Sequence, residues 1–263
     1  MISLKQRVTD MSKGLKQASD SDVIHLQTLR KAIGYVALSL PVTLVLGENL
    51  RDWLLSHSSD AGRVLIEGSI SAYFHTGMRE VFVGSLCGIA VFLVCYKGYD
   101  RRDIIAARVA GISVFLVALF PTRERSREAG DSGQPVVDSA TLFSTANAAD
   151  PAYVGVVHFV FAAVFFITLA VMSIQLFTLS DVPEPTPEKR QRNRVYVVSG
   201  WTILICIALI AITKLFLGDS WNQRTSLIFW LETIAVIAFA ISWLTKAEVI
   251  LGDQVPAARA RKN

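Results

Sequence analysis

Several side chains that could do chemistry stand at the ends of long apolar stretches in this sequence. The candidates are a serine, two histidines and four charged residues: Ser71, His75, Arg79, Glu80, His158, Lys214 and Glu232. Ionisable groups at membrane depth are costly and turn inward toward partners or water. Because the apolar stretches alternate in direction across a membrane, these residues are expected at one level of a bundle. They therefore predict one shared polar site.

Helical phase indicates which of these side chains face inward. Glu80, Gly84 and Gly88 share one face of their stretch, so Glu80 is expected to point into the bundle. The same reasoning places Glu232 and His158 on inward faces of their own stretches. The alternative is that Glu80 or Glu232 forms a structural ion pair with Arg79 or Lys214, which would join helices without binding a ligand.

The elements that position these residues are six apolar stretches, each close to the ~20 residues that a helix needs to cross a bilayer. They run over residues 32–50, 79–97, 103–121, 154–178, 196–217 and 227–246. Hydrophobic residues make up 52% of the chain and charged residues 18%, with a mean hydropathy of +0.44. Soluble domains carry about 25% charged residues. The sequence therefore predicts an all-α fold, a polytopic transmembrane bundle of six helices.

The distribution of Lys and Arg predicts the orientation of the bundle. Alternate segments that include both termini hold 18 of these residues, whereas the other loops hold 8. Positive charge concentrates on the cytoplasmic side, so both termini are expected inside and loop 122–152 outside. The net charge of +4 then reflects contact with anionic lipid headgroups, and nucleic acid is not an expected partner. The expected location is the bacterial inner membrane.

The chain divides into three regions. Residues 1–30 form a cytoplasmic segment in which Leu4, Val8, Met11 and Leu15 recur at helical spacing among basic residues. This pattern predicts an amphipathic helix on the membrane surface, with a polar tail that merely sets orientation as the alternative. Residues 31–250 form the transmembrane domain, and residues 251–263 form a cytoplasmic tail.

Small residues predict where the helices approach closely. Gly84 and Gly88 are four residues apart in the second stretch, and Ala107 and Gly111 repeat this spacing in the third. Small residues at this spacing let helix backbones pack tightly in lipid. Both pairs are therefore expected at helix–helix contacts.

The run from Ser71 to Thr76, Ser-Ala-Tyr-Phe-His-Thr, resembles a Ser-x-x-Phe-His segment of the CREST superfamily. That superfamily comprises the alkaline ceramidases and the progestin/adipoQ receptors, which have seven spans and a zinc site inside the bundle. The resemblance implies that Ser71 and His75 are site residues, with His75 as the metal ligand. This chain departs from the pattern, since it has six apolar stretches and no histidine after His158.

A second resemblance covers more of the chain. The segments Thr76–Gly84, Tyr96–Asp100, Ala118–Pro121 and Ile241–Lys246 resemble those of an uncharacterised bacterial six-span membrane family. This resemblance implies the same six-helix topology and no particular activity.

Three functions are compatible with these observations. The leading hypothesis is an outward-facing polar pocket that binds a lipid headgroup or a small polar ligand. The alternative is a metal-dependent hydrolase of lipid amides or esters, in which His75 and His158 with Glu80 or Glu232 hold zinc and the zinc activates water. The third is a transporter, which requires broken helices or paired repeats that the sequence does not clearly show.

Overall fold

A computed structural model describes residues 4–55, 66–98, 100–120, 122, 152–180, 184, 186–217, 222 and 225–251, with the side chains of 4–26, 152–154 and 217 left out. Six long α-helices run through this part of the chain. They are α1 (Leu4–Leu55), α2 (Arg79–Val94), α3 (Arg101–Leu119), α4 (Ala152–Val171), α5 (Pro187–Ile212) and α6 (Leu227–Lys246). A 3-10 turn (Ser71–His75) precedes α2, and π-helical turns extend α4 (Met172–Leu176) and α5 (Thr213–Leu217). The prediction of an all-helical chain is confirmed for these residues.

Four segments are long and apolar enough to cross a membrane. They are Gln27–Leu55, Gly155–Leu176, Pro187–Phe216 and Leu227–Lys246. Helix α2 has 16 residues and is shorter than a typical span, and α3 begins with Arg101, Arg102 and Asp103. By length and composition, the helices that could cross a membrane are therefore α1, α4, α5 and α6. Of these, α6 is the most enclosed by other helices.

The helices form a closed ring in chain order. Each helix packs against the next, and α6 returns to pack between α5 and α1. The connections from α2 to α3 and from the π-helical turn after α4 to α5 are short, so they make these pairs antiparallel neighbours. The ring places the starts of α2, α4 and α6 at the same end as the carboxyl ends of α3 and α5. We call this the histidine end, because it carries His75 and His158, and we call the opposite end the basic end.

Local signals explain where two helices begin. Asp100 caps α3, since its carboxylate accepts hydrogen bonds from the backbone amides of Arg102 and Asp103. Thr186 caps α5 by accepting from the amide of Lys189 at 3.2 Å, and Pro187 follows at the first helical position. The prolines of segment 181–194 favour an extended conformation. The structure shows instead that this segment is helical from Pro187 onward.

Helix α1 begins far earlier than the apolar stretch indicates. It is continuous from Leu4 to Leu55. The helix predicted in residues 1–30 is thus part of the same element, with no break at residue 30. The predicted contact of its apolar face with a membrane surface involves side chains that lie outside those described. The predicted cytoplasmic tail, beyond residue 251, also lies outside the described residues.

Close helix packing is confirmed at one of the two predicted pairs. Ala107 and Gly111 are buried, and a Cβ atom at Gly111 would lie 2.8 Å from Val94 Cγ2 on α2. Gly84 and Gly88, by contrast, have no atom from another part of the described chain within 4 Å of where a Cβ would be, so the prediction for them is wrong. The inward face of α2 is instead its bulky stripe, Phe82, Leu86, Ile89, Ala90 and Leu93.

Candidate functional site

A polar segment at the histidine end, residues 66–78, is held against the start of α6. The carbonyl of Gly68 accepts from the amide of Phe229 at 3.1 Å and from Asn222 Nδ2 at 2.9 Å. Asn222 is 1% exposed, and its Oδ1 accepts from the amide of Ile228 at 2.9 Å. One buried amide side chain therefore links segment 66–78 to the first turn of α6.

Glu232 strengthens the same connection. Its carboxylate accepts from the backbone amide of Ile70 at 2.5 Å and also meets the amide of Ser71, at the beginning of the 3-10 turn. Lys214, in the π-helical turn after α5, interacts with it electrostatically. Glu232 thus points inward as predicted. Its hydrogen-bond partners are the backbone amides of Ile70 and Ser71. Lys214, a predicted cationic partner, interacts with Glu232 through its charge.

His158 joins three elements at this end. It is 2% exposed on α4, and its Nδ1 lies 2.6 Å from the carbonyl oxygen of Phe120. A carbonyl can only accept, so Nδ1 carries a proton. In the neutral ring Nε2 is then an acceptor, and it lies 3.0 Å from Ser71 Oγ. The hydroxyl of Ser71 therefore donates to His158, which in turn donates to the end of α3.

His75 makes a parallel but separate contact. Its Nε2 lies 2.7 Å from the carbonyl oxygen of Thr122, two residues beyond the acceptor of His158. In the described part of the chain, no three His, Cys, Asp or Glu residues are grouped so that they could hold a metal ion. Both nitrogens of His158 are engaged by protein groups, so in this arrangement the two histidines do not fit a tetrahedral zinc site. The prediction of zinc stays a prediction.

The remaining candidates lie at the edge of this site or away from it. The Arg79 guanidinium stacks 4.6 Å above the ring of Phe74, and Lys214 Nζ lies 5.3 Å from the ring of Phe159. Glu80 is exposed, so the expectation that it points into the bundle is wrong. The error follows from the helical phase, because Glu80 shares its face with the unpacked glycines of α2.

The structure therefore brings together part of the predicted site. Ser71, His158 and Glu232 form one connected network, with Lys214 beside it. His75 is a neighbour with its own partner, and Arg79 and Glu80 take no part. Sequence reasoning missed Asn222, because an asparagine between two apolar stretches carries no signal that distinguishes a buried link from a loop residue.

Comparisons with protein-family models, with curated proteins and with solved structures found no match to this chain. The two family resemblances read from the sequence therefore stay hypotheses.

Proposed function

We propose that this chain is an integral protein of the bacterial inner membrane with six spans and both termini in the cytoplasm. The excess of Lys and Arg in alternate segments, 18 against 8, supports this orientation. The short helices α2 and α3 cross the bilayer as part of the closed ring. The histidine end then faces outward and the basic end faces the cytoplasm.

We further propose that the histidine end binds a lipid headgroup or a small polar ligand. The observation that carries this proposal is the network of Ser71, His158 and Glu232, which unites the 3-10 turn, α4 and α6, with Lys214 at its edge. A carboxylate, an ammonium group, a hydroxyl and an imidazole thus converge at one level. Such a set of polar groups beside apolar helix surfaces is typical of ligand sites between the helices of a bundle.

The two charges favour a ligand that itself carries both signs. Lys214 is exposed and can approach a phosphate or carboxylate of the ligand, while the charge of Glu232, which interacts with Lys214, favours an ammonium group. A zwitterionic phospholipid headgroup has both groups, and exposed apolar residues on α4 and α5 such as Val156 and Ile212 offer a surface for its acyl chains.

Native mass spectrometry of the full chain, purified in mild detergent with co-extracted lipids, tests the proposal. We expect an adduct of defined mass on the wild-type protein. Lys214→Gln should lose most of this adduct, because it removes the accessible charge without disturbing the hydrogen bonds of Glu232. Glu80→Gln is the matched control, since Glu80 is an exposed carboxylate at the same end but outside the network, and it should retain the adduct. Equal adducts on both variants, or none on the wild type, would contradict the proposal.

A serine hydrolase acting on lipid amides or esters is the second candidate function. It is favoured by the hydrogen bond from Ser71 to His158, whose other nitrogen is held by the Phe120 carbonyl. In such an arrangement the imidazole accepts the serine proton as the oxygen attacks a carbonyl carbon. The amides of Ile70 and Ser71, which could stabilise an oxyanion, are engaged by Glu232, and for this reason we rank binding first.

Labelling with a fluorophosphonate probe separates the two functions. Catalysis predicts a covalent adduct on Ser71 that is lost in His158→Gln. Absence of labelling on wild-type protein that is folded by circular dichroism would exclude the nucleophilic serine and leave the binding function in place.

A further inference from the structure

An apolar groove of about 450 Å³ lies between α5 and α6, which pack against each other. Its walls include Val195 and Val198 on α5 and Ile234, Ile237 and Ile241 on α6. Val198 is 64% exposed and Ile234 is 45% exposed, so the groove opens away from the core of the bundle. Both helices are long and apolar enough to cross a membrane, and the volume is within the range of about 300–1,000 Å³ that is usual for ligand pockets.

The groove has the depth of one membrane leaflet. It follows α5 from Arg194 to Thr202, a rise of about 12 Å along the helix axis. Half of the hydrocarbon core of a bilayer is about 15 Å thick. Arg194 marks the polar boundary, because no charged residue follows it on α5 before Lys214. The groove therefore starts at the headgroup level near the basic end and covers most of the acyl-chain region of that leaflet.

A buried hydroxyl in the wall of the groove lacks a hydrogen-bond partner within the described part of the chain. Ser199 lines the groove and is 5% exposed, yet its hydroxyl bonds to none of these residues. Thr213 and Thr245, by contrast, each donate to the carbonyl four residues earlier, at 2.8 and 2.7 Å. Because an unbonded hydroxyl among apolar groups costs free energy, Ser199 favours an occupant that carries an acceptor.

The charge at the mouth of the groove indicates the chemistry of that occupant. Arg194 is exposed and forms no ion pair with any described residue. A guanidinium group binds phosphate through paired donors. Ser199 lies five residues further along α5, about 7.5 Å deeper in the membrane. An anionic phospholipid presents the same order of groups, with a phosphate at the surface, ester oxygens beneath it and hydrocarbon below.

We propose that the groove between α5 and α6 binds one anionic phospholipid from the leaflet at the basic end. One acyl chain lies along Val195, Val198 and the isoleucines of α6, an ester oxygen accepts from Ser199, and the phosphate contacts Arg194. A net negative headgroup is favoured over a zwitterionic one, because its phosphate has no ammonium group of its own. This site is at the opposite end from the ligand proposed for the histidine end and does not depend on it.

Photo-cross-linking of the full chain in phosphatidylcholine nanodiscs tests the site. The probe is phosphatidylglycerol with a diazirine in one acyl chain, at a few per cent of the lipid. We expect cross-links concentrated in segments 195–202 and 234–241. Unlabelled phosphatidylglycerol should compete for them, whereas the nanodisc phosphatidylcholine does not. Cross-links spread evenly over the outward faces of α4, α5 and α6 would show an ordinary lipid shell and overturn the proposal.

Two arginine substitutions test the role of charge. Arg194→Gln should lower cross-linking in the groove about fivefold, the ratio that corresponds to one basic residue at an anionic surface. Arg108→Gln is the matched control and should keep the wild-type level. Arg108 is also exposed and is likewise the eighth residue of its helix, α3, but it is not part of the groove. Equal losses in the two variants would reflect general attraction to basic residues and would contradict the proposal.

Two valine substitutions test the apolar part of the site. Val198→Phe places a ring in the groove and should displace the labelled chain. Val197→Phe, one residue away and outside the lining, should not. Both valines are exposed, so the bundle has room for either ring. Cross-linking that is unchanged in Val198→Phe would overturn the proposal.

A second copy of the chain is the competing occupant of the groove. Val198→Cys, in a chain whose Cys87, Cys95 and Cys206 are replaced by alanine, tests for it. If the groove holds lipid, this cysteine should stay a monomeric thiol in nanodiscs under mild oxidation. A disulfide that joins two copies in high yield would assign the groove to a dimer interface, and the lipid site would be wrong.

Discussion

At the scale of single residues, the hydrogen bonds of His158 set the geometry of the histidine end. The imidazole connects a serine of the 3-10 turn with a main-chain carbonyl at the end of α3. Apolar stretches in the sequence place His158 and Ser71 at the same end of the bundle. The direct contact could not be predicted, because it depends on the rotation of α4 and on the path of segment 66–78, neither of which follows from hydropathy.

Substitutions in this pair should affect stability unequally. His158→Ala removes a buried ring with two hydrogen bonds and leaves the Phe120 carbonyl without its donor, so it should lower the free energy of unfolding by about 3 kcal/mol. Ser71→Ala removes one hydrogen bond and should lower it by about 1 kcal/mol. Unfolding by denaturant in mild detergent measures both. Equal and negligible losses would show that His158 is not held as described.

The burial of Tyr73 makes the free energy of unfolding depend on pH in the alkaline range. The residue is fully buried, and desolvation of the phenol raises the pKa of Tyr73 to about 12 from an ordinary value of 10.0. Between these values the unfolded chain releases the tyrosine proton while the folded chain keeps it. The free energy of unfolding therefore falls as pH rises through this window. The difference in stability between wild type and Tyr73→Phe should change from pH 9 to pH 11.5, and parallel curves would contradict the burial of Tyr73.

At the scale of elements, the small residues Ala107 and Gly111 of α3 and the bulky stripe of α2 decide how these two helices pack. The number and order of the six long helices could be predicted from apolar runs, but their starts could not, since α1 begins at Leu4 and α5 at Pro187, well before their apolar stretches. Which face of each helix turns inward could not always be predicted from small residues. At Gly111 the small residue marks a contact, whereas at Gly84 the inward face carries large side chains and the glycine lies outside.

These two glycines give a matched pair of substitutions. Gly111→Ala would place a methyl group 2.9 Å from the Ala90 carbonyl oxygen and 2.8 Å from Val94 Cγ2, so α2 and α3 must separate. We expect a loss of about 1–3 kcal/mol in the free energy of unfolding. Gly84→Ala meets open space and should be neutral or add up to about 1 kcal/mol through helix propensity. The same denaturation assay compares them, and a reversed order would refute the assignment of the α2 face.

At the scale of the whole molecule, the bundle has two ends of different chemistry. The sequence indicates the polar residues of the histidine end, since they interrupt apolar stretches. It does not indicate that Arg30 and Arg192 are buried at the opposite end, because lysines and arginines at helix ends are expected to extend to the headgroups.

The orientation of the two ends can be measured by cysteine labelling in intact cells. In a background with Cys87, Cys95 and Cys206 replaced by alanine, a cysteine at Ser132 should react with an impermeant maleimide added outside. A cysteine at Glu188, which is exposed at the start of α5, should react only after the membrane is opened. Glu188 is preferred over Thr186 because Thr186 caps the helix. The opposite pattern would reverse the proposed topology.

The closure of the ring by α6 has a consequence for how the protein is made. Segment 66–78 is synthesised early, yet the groups that anchor it, Asn222 and Glu232, leave the ribosome roughly 150 residues later. Until then the Gly68 carbonyl and the Ile70 amide lack these partners, and α1 lacks one of its two neighbours. The histidine end therefore cannot be completed before α6 has been synthesised, and a chain truncated before α6 should fail to hold segment 66–78 in place.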